Sequence, residues 1–428
     1  REMAKTFRPW DPDQRFLIPP AVQEFVPPDH ISHFVRDLVR DSLDLSAIFA
    51  TYSEERGFPP YHPTMMTALL LYAYSQGVYS SRRIAQACEQ RLDFMAVTAM
   101  ARPDFRTVSE FRRRHLKALA GLFQQVLKLC AEAGLVKLGH VALDSTKIRA
   151  NASKHKAMSY GRMKKEEAKL KAEVESWLKR AESADASEDR QFGAEKRGDE
   201  LPECVTDKQK RIAKIAEAKA ALEAEARGDD DGDEPPKAPR EKEQRNFTDP
   251  ESRIMKTGGR TFEQSYNCQA AVDAKSHVIV AQMLTNNAAD SVHFEPMVAQ
   301  IKSNTGRQAR ELSADAGYIS EANVREAARR HIRAYIAVGR GKHGRPGEFT
   351  GRPPRPGSRV AGMAARLRRG GRRSRYRLRK MTVEPVFGII KQARGFRQFL
   401  LRGVEKVAGE WSLVCLAHNL HKLAAATT

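Results

Sequence analysis

Asp144 in HVALDSTK, Asp315 in ELSADAGY and Glu384 in RKMTVEPVFGIIK are carboxylates placed where a regular pattern changes character. The first two close short apolar runs that read as strands, and a strand end is where a folded sheet opens to a ligand. Glu384 is expected at the start of a helix, with Thr382 as its cap and Pro385 in its first turn. Lys391 follows two helical turns later, so a carboxylate and an ammonium share one face. Three carboxylates with no softer ligand beside them are hard oxygen donors, suited to Mg²⁺ or Mn²⁺ rather than zinc. Two such ions about 3.5–4 Å apart activate a water or a 3′-hydroxyl and stabilise the leaving oxygen of a phosphodiester displacement. Taken singly, each acid also has an ordinary reading, as a turn cap or a helix N-terminal charge worth under about 1 kcal/mol. Asp273 and Asp290 read as turn residues, Asp104 as a structural residue before a capping box, and His140 as a packing or surface residue.

Composition narrows what these acids work on. The chain has 428 residues, 41% of them hydrophobic, which is enough for two or three domains with a core. Its formal charge of +21, from 74 basic against 53 acidic residues, points to a polyanionic partner, nucleic acid first. The competing reading of that charge is a ribosome-associated or simply very soluble protein. Cys88, Cys130, Cys204, Cys268 and Cys415 form no CxxC pair, which argues against a zinc site or a disulfide framework and suits a reducing cytoplasm. No apolar run reaches the roughly 18 residues of a membrane span, and REMAKTFRPWDPDQ lacks a signal-peptide core, so a soluble intracellular protein is expected.

The elements that must position the acids follow from periodicity. Residues 1–135 read as an all-helical domain, with apolar spacings of three and four in MMTALLLYAYSQG and FRRRHLKALAGLFQQVLKLCAEAGL. Pro63 suits a helix start, Ser80 a cap, and Thr107 with Glu110 a capping box. GVYSSRRIAQACEQ sets a glycine turn before a basic helix, the layout of a helix-turn-helix reader, which makes Arg82 and Arg83 DNA-contact candidates; Arg112 and Arg113 in TVSEFRRRH are two more. A solvated helix face is the plainer reading of each.

Residues 136–428 are expected to form a second, α/β domain. A strand at 136–150 is followed by an insertion over 155–245, a helical hairpin rich in Ala, Glu and Lys and then an acidic linker. Asp229, Asp230, Asp231 and Asp233 in that linker are a solvated charge run, not ligands. SYNCQAAVDA and HVIVAQMLTN form a β-hairpin, and alternating helices and strands follow, which indicates a mixed sheet. Gly339 to Lys380 carries 15 basic residues and one acid, Glu348, and is expected to hold a mobile, phosphate-clamping basic loop over 339–375.

Together these blocks resemble the DDE transposases of bacterial insertion sequences, those with an InsH-type helical N-terminal domain and a YREK-like signature. The resemblance rests on AKTFRPWDPDQ, YHPTMMTALLLYAYSQGVYSSRRI and PDFRTVSEFRRRH, then on VALDSTKIRANASK, YNCQAAVDAKSHVIV, LSADAGYIS and RKMTVEPVFGIIKQARGFRQFLLRG, in that order. It implies an RNase H-like catalytic domain with Asp144, Asp315 and Glu384 as catalytic and metal-binding residues holding two Mg²⁺ ions, Mn²⁺ being an alternative. In the signature Lys380 stands at the Arg position and Arg377 at the Tyr position, with Tyr376 and Arg379 each displaced by one, while Glu384 and Lys391 keep their interval. Arg379, Lys380, Lys391, Arg394 and Arg397 are the implied phosphate contacts. The implied activity is binding of terminal inverted repeats, metal-dependent cleavage and transfer of the ends to target DNA. The expected setting is a bacterial cytoplasm, on the nucleoid, with a homodimer or larger assembly joining two ends. The alternatives are an RNase H-like nuclease without strand transfer, or a non-catalytic DNA-binding remnant or repressor.

Overall fold

The computed structural model describes residues 21–52, 59–192, 203–228, 238–257, 261–342, 345–350 and 353–427. The opening AKTFRPWDPDQ and the acidic run Asp229, Asp230, Asp231 and Asp233 lie outside the described residues. The chain divides into two compact units, Arg1–Ala133 with Leu416–Thr428, and Gly134–Cys415. The expected second domain runs to residue 428, but Leu416–Thr428 groups with the helical unit. The reason is packing: Leu416, Leu420 and Leu423 are buried, and His421 Nε2 lies 2.9 Å from the Ser75 carbonyl.

The first unit contains α1 (Ile31–Asp41), α2 (Ser46–Phe49), α3 (Pro63–Ser75), α4 (Ser81–Gln90), α5 (Leu92–Thr98) and α6 (Phe105–Glu132). α3 carries no charged residue and is buried on nearly every side, as a helix apolar all round must be. Gly77, at φ 74°, makes the turn into α4 that no β-carbon would tolerate cheaply. Ser80 stands before α4 but makes no side-chain cap, and the expected capping box at Thr107 is absent. Asp104 starts α6 earlier, accepting from the Arg106 N–H at 2.8 Å, which leaves Thr107 and Glu110 inside the helix.

Arg112 corrects the sequence reading more sharply. It is turned inward, only 5% exposed, and donates to the Tyr79 carbonyl at 2.8 Å, Ser81 Oγ at 3.2 Å and Tyr74 Oη at 3.3 Å. Successive helical residues point about 100° apart, so three consecutive arginines cannot all face a DNA groove. Arg113 takes the outward direction, paired with Glu110 at 2.5 Å, and Arg82 and Arg83 are exposed on α4. Arg112→Ala removes three hydrogen bonds and leaves a void, so it should cost about 3 kcal/mol of stability. Thermal unfolding of the purified variant checks this; an unchanged midpoint with weakened DNA binding would return Arg112 to the DNA-contact role.

The second unit is built on β1 (His140–Arg149). After it come β2 (Ala157–Ser159), α7 (Tyr160–Phe192), α8 (Glu203–Gly228) and β3 (Gln244–Asn246). β2 and β3 pair antiparallel and close the base of the inserted hairpin, whose small core includes Met158, Met163, Leu170, Ile215 and Leu222. The chain continues as β4 (Arg253–Lys256), β5 (Phe262–Asp273), β6 (Ile279–Thr285), α9 (Phe294–Thr305), β7 (Glu311–Ala314), α10 (Glu321–Arg329) and β8 (Arg333–Ile336).

These strands form one mixed sheet in the order β4-β5-β1-β7-β8, with β6 also pairing β5. β5 runs antiparallel to β1 and β6, whereas β1–β7 and β7–β8 are parallel. Val141, Leu143, Ala270 and Val272 are fully buried, as expected of central strands covered on both faces.

The expected basic loop is largely structured. It contains the ribbon β9 (Arg340–Lys342) and β10 (Arg345–Thr350), then α11 (Arg359–Gly370). α11 forms because Ser358 caps it through the Ala361 N–H and because Met363, Ala364 and Leu367 give it a buried face despite its charge. α12 (Leu378–Gly388) and α13 (Val404–Thr427) complete the chain. Trp411 of α13 is fully buried, its indole N–H donating to the Gln269 carbonyl of β5 at 3.3 Å.

Candidate active site

Asp144 does not end its strand. β1 runs on to Arg149, and Asp144 sits opposite Ala270 of β5. What ends there is its other neighbour: the parallel register with β7 stops at Leu143 opposite Ala314, and Asp315 is the next residue. Asp144 and Asp315 therefore leave paired positions on adjacent strands, which lie about 4.8 Å apart. Asp315 turns the chain into a short 3₁₀ segment, Ala316–Tyr318, by accepting from the Gly317 N–H at 2.9 Å.

Glu384 arrives on α12, which packs over β1 and β5. The helix begins at Leu378, so Glu384 is not at its start, Thr382 is an interior buried residue, and Pro385 lies within the helix. The proline's fixed φ is helical, but it forgoes one backbone hydrogen bond and crowds the carbonyl one turn back, that of Met381. α12 then widens into a π-helical turn, Ile389–Ala393, in which the Arg394 N–H donates to the Ile389 carbonyl at 2.9 Å. Lys391 lies in that turn, so the expected regular two-turn relation to Glu384 is broken. Its Nζ donates to the Lys147 carbonyl of β1 at 3.2 Å, and burial together with Lys147 pulls its pKa down.

A guanidinium holds two of the acids. Arg379 donates to Asp144 Oδ2 through Nη1 and to Glu384 Oε1 at 3.3 Å through Nη2, with its charge 5.9 Å above the Tyr376 ring. Arg379, not Lys380, is thus the basic residue of the signature directed at the carboxylates; Lys380 is exposed. Arg394 is half-buried, and Arg397 is exposed, donating to the Lys391 carbonyl at 3.1 Å and to Gln392.

Asp290, read from the sequence as a turn residue, does stand at a turn, and its carboxylate also lies beside that of Asp315. It precedes the 3₁₀ segment Ser291–His293 that leads into α9. Its Oδ1 accepts from Asn267 Nδ2 at 2.8 Å, Gln269 Nε2 at 2.9 Å and Lys147 Nζ at 3.2 Å. Gln269 also accepts from the buried Tyr318 hydroxyl, which links β5, Asp290 and the turn after Asp315. A β-carbon placed on Gly317 would meet Asp290 Oδ2 at 2.9 Å and Asp315 Oδ1 at 3.1 Å, so these carboxylates flank one glycine. No local signal in TNNAADSVHF marks this, since the partners come from β1 and β5. Asp273, by contrast, keeps the structural role expected of it, accepting from the Lys137, Leu138 and Lys275 N–H groups. His140 is buried between Glu311 and Ser313 Oγ, at 3.3 and 2.9 Å.

The electrostatics separate the acids. Burial pushes Asp144 up to about 6, against the pull of Arg379 and with repulsion from Asp315 adding to it. Burial also raises Asp315, and Asp290 adds to that rise. Asp290 itself is lowered, because its hydrogen bonds from Asn267 and Gln269 and the charge of Lys147 outweigh its burial. Asp144 and Asp315 are thus the acids whose ionised forms burial penalises, a cost that a cation beside them would relieve.

Two family descriptions match the chain. A transposase domain (DUF772) covers residues 20–114, and a transposase DDE domain covers residues 235–420. The chain belongs to the DDE transposases. No curated protein and no solved structure matches it. The mixed sheet of this transposase is RNase H-like, and the enzyme cleaves and transfers DNA with divalent metal ions, as its family does. Among the described residues no helix is long and apolar enough to cross a membrane.

The donor set fits such a metal in kind, being carboxylate oxygen throughout, with Asp144 and Asp315 on neighbouring strands. In the present arrangement, no group of three or more acid, His or Cys side chains among the described residues is gathered tightly enough to hold an ion. The Arg379 guanidinium is instead the counter-charge of Asp144 and Glu384.

Proposed function

We propose that this transposase binds the terminal inverted repeats of its own insertion sequence, nicks them, and joins the freed 3′-hydroxyls to target DNA, using Asp144, Asp315 and Glu384 as its catalytic carboxylates. The observation that carries the reading is the register: Asp144 and Asp315 follow directly on the paired Leu143 and Ala314, and α12 brings Glu384 within reach of the same guanidinium as Asp144.

Asp144, Asp315 and Glu384 would hold the metal, two Mg²⁺ ions in the preferred reading, which supplies an activated oxygen nucleophile and charge stabilisation of the leaving oxygen. Asp290 fixes the ammonium of Lys147 beside β1 and, through Gln269 and Tyr318, the turn that presents Asp315. Arg379 keeps the carboxylates neutralised until substrate and metal arrive, and is then free to meet a phosphate. Lys391, Arg394 and Arg397 lie on the π-helical turn and the loop after it, and Lys380 on α12, where they would follow the scissile strand. Arg82, Arg83 and Arg113 form the outward basic set of the helical unit. Engagement of two ends implies a homodimer or larger assembly.

The test is a strand-joining assay with purified protein, Mg²⁺, labelled terminal-repeat DNA and a target plasmid. Joined product is expected; nicks without joining would favour a nuclease, and binding without either would favour a repressor. In the same system Arg82→Ala with Arg83→Ala should weaken end binding and reduce the log–log salt slope by about 2, near one unit for each phosphate no longer neutralised. A slope equal to that of the parent protein would take α4 off the DNA.

A further inference from the structure

The base of the inserted hairpin carries a cavity of about 420 Å³ that the chemistry above does not use. Its floor is apolar, formed by the buried Met158 and Ile215 and the half-buried ring of Phe247. Its rim is basic: Lys156 on the segment before β2, Arg162 on α7, and Lys214 with Arg211 on α8. Arg211 is neutralised by Glu166 at 3.0 Å. Lys156, Arg162 and Lys214 are exposed, and among the described residues their side chains have no ion pair or hydrogen bond.

We infer that this groove binds a single-stranded segment of the DNA substrate, with phosphates against Lys156, Arg162 and Lys214 and a base against Phe247. The inference rests on the DNA-joining reading above and names a further contact of the same enzyme. Unneutralised cations around an aromatic floor are the combination by which proteins hold a single strand, phosphates outside and base stacked within. A duplex, whose bases are already stacked inside it, offers phosphates to the rim and nothing to the ring.

The groove also has a fixed place on the body of the unit. Its first wall continues directly from β1, the strand of Asp144, and is pinned on the way. Asn151 Nδ2 donates to the Leu400 carbonyl at 2.8 Å, and Asn246 Nδ2 donates to the Ser153 carbonyl at 2.7 Å. The Phe247 N–H donates to the Lys156 carbonyl at 3.0 Å, so ring and rim are held by one backbone bond. A strand freed at the cleavage site would meet a surface already set in position.

Fluorescence anisotropy on the full-length protein tests this, using labelled single-stranded and duplex oligonucleotides over a range of NaCl. Arg162→Ala with Lys214→Ala should bind the single strand roughly tenfold more weakly and with a salt slope shallower by about 1.4, the value for two single-strand phosphates. Phe247→Ala should lose roughly tenfold for the single strand alone, keep the slope, and recover with Phe247→Tyr, as a stacking contact does. Parent-like affinity and slope in these variants would overturn the inference, as would equal losses for single strand and duplex in Phe247→Ala. If the groove variants bind normally while the parent joins strands, only the groove fails. If the groove variants lose single-strand binding while the parent joins nothing, the groove stands and the strand-joining reading fails.

Discussion

Asp144→Asn is expected to abolish donor-DNA cleavage while making the protein harder to unfold. On the proposed assignment the loss follows from removing one oxygen ligand of a metal that would stabilise the displacement by several kcal/mol; each 1.36 kcal/mol is a tenfold change, so about a thousandfold or more should go. The gain in stability follows from burial. Asp144 is held near 6, above its ordinary range, because its burial outweighs the pull of Arg379. A carboxyl raised in the fold binds its proton more tightly there than in the unfolded chain, so stability is lost as pH rises through that interval to about 6. Above it the ionised form costs on the order of 3 kcal/mol, which the neutral amide avoids. The two readouts are gel-resolved cleavage in Mg²⁺ and thermal midpoints at neutral pH and near pH 4, where the difference should shrink. A variant that is inactive and less stable at neutral pH would mark Asp144 as a structural ion-pair partner of Arg379. Divalent binding, followed with Mn²⁺, should likewise weaken as pH falls through about 6 in the parent protein, because proton and metal compete for one carboxylate.

Gly317→Ala should lower cleavage by about a hundredfold with little change in fold. The added methyl would lie 2.9 Å from Asp290 Oδ2 and 3.1 Å from Asp315 Oδ1, closer than a carbon rests against an oxygen, so at least one carboxylate must move. Displacements of about 1 Å in a catalytic group are known to cost that much in rate. Gly317 is exposed and its φ is outside the left-handed region, so alanine is not opposed by the backbone itself. Cleavage rates and the thermal midpoint, measured together, decide the matter. Full activity would place the scissile phosphate away from the Asp290–Asp315 gap, and a large fall in midpoint would make the effect one of folding.

Much of this protein could be read from local pattern. Apolar alternation in SYNCQAAVDA and HVIVAQMLTN located the β5–β6 hairpin, and the Ala, Glu and Lys runs located the inserted helices, because periodicity and propensity act between near neighbours. The change of character after Asp144 and Asp315 drew attention to both acids for the same reason. Local pattern misjudged what depends on distant partners. It took Asp144 for a strand end, whereas only the pairing with β7 ends there, and register belongs to two strands at once. It set Arg112 on a DNA face, though the turn at Tyr79 and Ser81 captures that guanidinium.

The residue types themselves determined the chemistry: hard carboxylates, a large basic excess and a helical unit ahead of a mixed sheet. Tertiary structure alone decided which carboxylates meet. Asp290 is held beside Asp315 by Asn267, Gln269 and Lys147, which converge on it from β5 and β1, and Arg379 reaches Asp144 because α12 crosses those same strands. Charges in water attract at any spacing along a chain; only a packed sheet fixes which of them share one small, poorly hydrated space.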